Sequence, residues 1–150
     1  YLCESQLATF EAELANALGY PVAGYTGPGK TYYGHQINAR DIDAPGGTPI
    51  FAAMSGTVTA VVMRYPNDYY SGQTGQLNEY GNYIDIQVWD GTIIRYAHQQ
   101  QSSFVNVGDQ VIVGQQIGLV GSTGYCAPIG HTHLHFETIG GDVMNYFKWN

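Results

Sequence analysis

Residues 129–138 read "IGHTHLHFET", and His131, His133 and His135 alternate there with Thr132, Leu134 and Phe136. Residues two apart on a β-strand share a face. An extended 131–137 therefore predicts three imidazoles in a row on one side of a sheet. The chain has five histidines; the other two are His35, in "YYGHQINARDIDAP", and His98, in "YAHQQ". Acidic side chains, Asp41 and Asp43, follow His35 closely. Zinc accepts imidazole nitrogen and carboxylate oxygen, and a catalytic zinc site keeps one position for water. His35, Asp41 or Asp43, and one histidine of the row would make three protein ligands. The spacings match no short helical zinc motif, and no His-Glu-x-x-His helix is present.

These side chains need elements to position them. "SQLATFEAELANAL", 5–18, carries Leu7, Phe10, Leu14 and Leu18 at helical spacing, followed by Gly19 and Pro21 as a stop. An amphipathic helix is expected there, covering the domain or ending an upstream linker. Residues 23–34 are loop-like. From there the period shortens. "GTVTAVVM", 56–63, is β-rich, and 82–99 reads as a hairpin with a type I′ turn at Asp90-Gly91. Residues 110–124 give short strands broken by Gly114, Gly118 and Gly121, and "HTHLHFE" is a further strand. The fold class expected is mostly β: one antiparallel sheet domain with an N-terminal helix. The division expected is a helix or linker segment at 1–24 and one domain over 25–150.

Composition narrows the function. The 150 residues suffice for one domain with a core, and the formal charge is −7 with only five Lys and Arg. So few cations cannot track a phosphate backbone, and nucleic acid is an unsuitable partner. No apolar run reaches membrane-spanning length. With no N-terminal Met and no signal-like segment, the chain reads as a mature form or an excised domain.

"DIDAPGGTPIFAAMSGTV", "VNVGDQVIVGQQIGLVGSTG" and "HLHFE" occur in one order. Together they resemble the lysostaphin-type zinc endopeptidases, which cut peptidoglycan peptides. The likeness runs from about His35 to Glu137. It implies an antiparallel sheet with a substrate groove, one Zn2+, and a peptidoglycan partner. Carried over by position, the metal ligands are His35, Asp41 and His135, and the catalytic pair is His98 and His133. His131 matches no functional position of the family. The family pattern is His-x-Gly-x-Asp, whereas five residues, "QINAR", separate His35 from Asp41 here. A two-residue bulge would absorb the difference. Asp41 lies four residues before Pro45, as the family's Asp does, and Asp43 does not fit that register.

The resemblance further implies an extracellular or envelope location, either secreted or virion-associated. The acidic balance leaves no basic surface for an anionic wall, so targeting is expected from a larger parent chain or a virion assembly. In that oxidising setting a Cys3–Cys126 disulfide is expected, with two reduced thiols as the alternative that spacing leaves open. Residues 65–82, long and rich in tyrosine (Tyr65, Tyr69, Tyr70, Tyr80), are expected to form a wall of the groove. Three rivals stand beside this reading. One is a non-catalytic wall-binding or scaffold module on the same fold. The second is a cysteine peptidase using Cys126. The third is a purely structural zinc site.

Overall fold

The computed structural model describes residues 3–26, 31–32, 38–72 and 78–149. Helix α1 spans Glu4–Leu18. The strands are β1 Thr31–Tyr32, β2 Ala39–Asp43, β3 Pro49–Phe51, β4 Gly56–Val62, β5 Asn82–Gln87, β6 Ile93–Gln99, β7 Gln110–Val111, β8 Gln116–Leu119 and β9 His133–Ile139, followed by a 3₁₀ turn at Val143–Tyr146. Seven strands form one sheet in the order β1-β2-β9-β6-β5-β4-β7, and β3 pairs with β8 in a second. Every strand pair is antiparallel. The expected mostly-β domain with an N-terminal helix is the observed one.

Each sheet face has its own job. One carries Ile42, Leu134, Phe136, Tyr96, Ile94, Ile84, Ile86 and Val58 into the core, all essentially without solvent contact. Tyr96 and Phe136 face each other across β6 and β9 and pack edge to face at 5.4 Å. The Tyr96 hydroxyl accepts from the Ala53 amide at 3.1 Å, so its polar end is satisfied inside the core. On the opposite face, Asp85, Arg95 and Glu137 lie side by side on β5, β6 and β9.

Three local expectations are corrected. Helix α1 buries Ala8, Ala12 and Ala15, while Leu7, Phe10, Leu14 and Leu18 point outward, Phe10 being 58% exposed. The alanines recur at helical spacing as well, and their small side chains let the helix lie close against the core. The hairpin turn is not type I′, which needs positive φ at both central residues. Gly91 is left-handed at φ +89°, but Asp90 is not. Gly91 N–H donates to Val88, Val88 N–H donates to Thr92, and the Asp90 carboxylate accepts from the Thr92 amide. This is a three-residue loop whose glycine forms the bulge. Finally, the last strand starts at His133 rather than His131. Gly130 at φ +82° and a bond from the His131 amide to Pro128 keep 128–131 in a turn.

Candidate metal centre and catalytic site

Asp41 and His135 occupy directly paired positions of β2 and β9. Cross-strand partners on one face have Cβ atoms roughly 4.5–5.5 Å apart, within reach of one ion. His135 Nδ1 and Asp41 Oδ1 are 3.2 Å apart. Two donors on one tetrahedral zinc, each at about 2.0–2.2 Å from it, stand roughly 3.3 Å apart. The pair thus fits a zinc ion as placed. The other imidazole nitrogen, Nε2, donates to Glu137 Oε1 at 2.8 Å. A ligand histidine held from behind by a carboxylate has its ring fixed and its donor strengthened.

Glu137 is in turn positioned. The Tyr80 hydroxyl donates to it at 3.1 and 3.3 Å. The Arg95 guanidinium lies over the rings of Tyr80 and Tyr83, at 4.6 and 4.3 Å from their centroids. Its guanidinium donates twice to Asp85, both at 2.9 Å. Burial pulls the His135 pKa down, but the bonds to Asp41 and Glu137 outweigh it and raise the value to about 9. A proton on Nδ1 and a metal ion would compete for one place beside Asp41.

His98 reaches the site by an irregularity. On β6, Tyr96 faces the core and Ala97 pairs with His135. Strict alternation would then send His98 to the core face. Instead His98 has φ +62°, the single positive φ of a non-glycine among the described residues, and the β5–β6 register shifts beside it. The bulge brings its ring within 4.8 Å of His133 and 5.7 Å of His135, centroid to centroid. Left-handed backbone at a non-glycine costs on the order of 1–3 kcal/mol and is held only where the surroundings over-determine it. Here the His98 amide donates to Tyr80 and His98 Nδ1–H to the Thr123 carbonyl at 2.7 Å.

His133 Nδ1–H donates to the His131 carbonyl at 3.1 Å, and its Nε2 lies 3.8 Å from Asp41 Oδ1. A carbonyl only accepts, so in His98 and His133 the proton sits on Nδ1 and Nε2 keeps its lone pair. Burial lowers the pKa of both rings, that of His98 to about 3.

His131 stacks on His133 at 4.6 Å but spends its Nε2 on Asp43 at 2.8 Å, and the Asp43 side chain is 71% exposed. The choice between Asp41 and Asp43 is thereby separated in space: Asp41 sits with His135 and Asp43 with His131. His35 lies outside the described residues.

Cys3 and Cys126 are both free thiols, and the expected disulfide is not formed. Cys3 is exposed at the start of α1, whereas Cys126 is fully buried beside the histidines. Burial, aided by the Asp41 charge, pushes the Cys126 thiol up to about 12. A fully buried thiol whose thiolate is disfavoured by burial is a poor nucleophile, which speaks against the cysteine-peptidase rival.

Sequence reasoning passed over Glu137, although the alternation that links His133 to His135 reaches it two residues later. Thr123 and the rear support by Tyr80 had no local signal, because both act across the chain. Of the tyrosines expected in a groove wall, Tyr65 stacks on Tyr69 at 4.4 Å and Tyr70 on Tyr125 at 6.0 Å. Residues 73–77 lie outside the described residues.

Two glycines hold the Thr123 turn against the 78–82 segment. Gly124 has φ +90°, and a methyl there would overlap the Glu79 carbonyl and the Gly81 amide. Gly124→Ala is expected to destabilise the fold by on the order of 1–3 kcal/mol from the left-handed backbone, with the overlap adding to it. A lowered midpoint in denaturant unfolding checks this; an unchanged midpoint would contradict it.

The profile of Peptidase family M23 matches residues 34–145, and the chain belongs to that family. Its fold is that of the lysostaphin-like members. The catalytic domain of the antimicrobial peptidase lysostaphin from Staphylococcus simulans superposes with a TM-score of 0.55 at 28% identity, over 88% of this chain and 89% of that one. A zinc-containing peptidase from Vibrio cholerae gives 0.58 at 26% identity, over 83% of this chain and 38% of that one. The chain is 34% identical over 114 residues to the peptidoglycan DD-endopeptidase ShyA of Vibrio cholerae, covering 75% of this chain and 23% of that protein. It is 36% identical over 106 residues to YgeR, an uncharacterised lipoprotein of Escherichia coli, covering 71% of this chain and 37% of that protein. The chain thus spans well under half the length of these curated relatives. Among the described residues, no helix is long and apolar enough to cross a membrane.

Proposed function

We propose that this domain is a zinc-dependent endopeptidase that hydrolyses peptide bonds in bacterial peptidoglycan at the cell envelope or outside the cell. The observation that carries the reading is the 3.2 Å approach of Asp41 Oδ1 to His135 Nδ1, beside the His98 and His133 rings, whose Nδ1 atoms are tied to carbonyls. His35, Asp41 and His135 would hold the ion, which when bound supplies Lewis acidity to a water and to the scissile carbonyl. His133, with Nε2 next to the ligand oxygen, takes the water's proton and returns it to the leaving amine. His98, with Nδ1–H fixed by the Thr123 carbonyl, stands at the same site and offers its Nε2 lone pair as a second proton acceptor. Tyr65, Tyr69 and Tyr70 border the groove and contact the peptide strand. The peptidoglycan assignment draws on the ShyA and lysostaphin likenesses.

The test is digestion of purified peptidoglycans of differing cross-bridge chemistry, read by fragment mass, alongside elemental analysis of protein purified without added metal. About one zinc per chain and new amino termini at a defined peptide bond are expected. Intact sacculi, with no metal and no uptake on adding zinc, would sink the reading. That outcome would favour a second reading, a non-catalytic wall-binding module, for which the five-residue gap between His35 and Asp41 speaks.

A further inference from the structure

Asn82, Gln99 and Thr123 are polar and wholly buried, each at 0% exposure. The Asn82 side chain does for Tyr65 what a neighbouring strand would do. Its Oδ1 accepts from the Tyr65 amide at 2.9 Å, and its Nδ2 donates to the Tyr65 carbonyl at 2.8 Å. Nδ2 also donates to the Gln99 carbonyl at 3.3 Å, one residue past His98. Only a side chain that both donates and accepts can make this set of bonds.

The same Gln99 carbonyl closes a second circuit. Thr123 Oγ1 donates to it at 2.7 Å and accepts from the Asn82 amide at 3.0 Å. The carbonyl of Thr123 holds His98 Nδ1 at 2.7 Å. At Gly81 the two pieces of chain press so closely that a side chain there would overlap Thr123. The far end of the tyrosine segment is fastened to the same turn: the Gly124 amide donates to the Tyr69 carbonyl, and the Ser71 amide donates to the Gly124 carbonyl. Residues 65–71, with Tyr65, Tyr69 and Tyr70, thus share one set of hydrogen bonds with the left-handed bulge at His98. Every polar atom of the Asn82 and Thr123 side chains has a partner in it. A buried network satisfied in this way holds its members rigidly.

We propose that Asn82 and Thr123 are positioning residues that fix the His98 ring and lock it to the tyrosine segment at the groove. Asn82 joins Tyr65 to the backbone just after His98, and Thr123 joins that backbone to the carbonyl that receives the His98 proton. Loosening either bond set lets the bulge relax and frees the ring to turn. The effect on hydrolysis rests on the function proposed above; the control of the His98 ring does not.

The experiment compares the whole chain with its Asn82→Ala, Thr123→Val and Thr123→Ser variants, each made with isotope-labelled histidine for nitrogen NMR. The parent is expected to show His98 as a single tautomer protonated at Nδ1. Asn82→Ala and Thr123→Val are expected to move the His98 nitrogen signals toward those of an exchanging tautomer mixture, with zinc binding retained. Their peptidoglycan hydrolysis is expected to fall by roughly 10–100-fold, the scale on which a misplacement of about 1 Å costs rate. Thr123→Ser keeps the hydroxyl and is expected to match the parent in both measurements. A parent whose His98 already shows a tautomer mixture overturns the inference without any variant. So do unmoved His98 signals in the folded variants; should Asn82→Ala fail to fold, the near-isosteric Thr123→Val decides. Moved signals with undiminished hydrolysis by an active enzyme overturn the role in the reaction. A parent that hydrolyses nothing removes the proposed function instead, and the nitrogen signals still decide the positioning.

Discussion

His133→Ala is expected to keep about one zinc per chain and yet lower peptidoglycan hydrolysis by roughly 10²–10⁴-fold, the usual contribution of a general acid or base. The expectation comes from where its ring stands. Nδ1 is committed to the His131 carbonyl, and Nε2 is 3.8 Å from Asp41 Oδ1, beyond the separation found for the Asp41–His135 pair. His135→Ala is expected to lose both zinc and hydrolysis, because it removes a donor 3.2 Å from Asp41. His131→Ala is expected to keep both, since His131 precedes the strand and its Nε2 pairs with the exposed Asp43. Bound zinc and hydrolysis rate, measured on the three variants in parallel, decide. Metal lost from His133→Ala and retained by His135→Ala would reverse the assignment of ligand and base.

The contrast among these neighbouring histidines shows what was legible in the sequence. Alternation along β9 is a local property, so the shared face of His133 and His135 could be read from spacing alone. The pairing of Asp41 with His135 could not. It depends on β2 docking beside β9 across 94 residues of chain, and only the resemblance supplied it. Only the start of the strand was misplaced, because a turn at Pro128–His131 shortens it, and nothing in "HTHLHFE" marks where extension begins. His98 is the harder case: regular alternation would bury it in the core, and the bulge that rotates it toward His133 and His135 is stabilised by Tyr80 and Thr123, both distant in sequence. The helix failed for another reason. Two faces of α1 have helical periodicity, one of leucines with Phe10 and one of alanines, and the core took the smaller. Hydrophobicity favoured the first; close approach to the sheet selected the second.

Glu137 tests whether the rear support of His135, the proposed metal ligand, matters as the geometry implies. Its carboxylate accepts from His135 Nε2 at 2.8 Å and from the Tyr80 hydroxyl, while Arg95 behind Tyr80 is anchored by Asp85. Burial alone would raise the Glu137 pKa, but the His135 bond outweighs it and holds the group ionised below its ordinary value. The negative charge thus sits on the far side of the ring from Asp41, where it fixes the proton on Nε2 and leaves Nδ1 to the metal. Removing such a partner typically weakens metal affinity by about 10–100-fold. Glu137→Ala is therefore expected to release zinc to a competing chelator at a concentration lower by about that factor. Glu137→Gln keeps an acceptor oxygen but not the charge, so it is expected to fall between Glu137→Ala and the parent. Tyr80→Phe removes one neutral donor to Glu137 and is expected to have the smallest effect of the three. Chelator competition with a zinc-responsive dye measures all four proteins without reference to hydrolysis. Equal zinc affinity in the parent and Glu137→Ala, with the fold intact by circular dichroism, would mean that His135 is oriented by Asp41 and the metal alone.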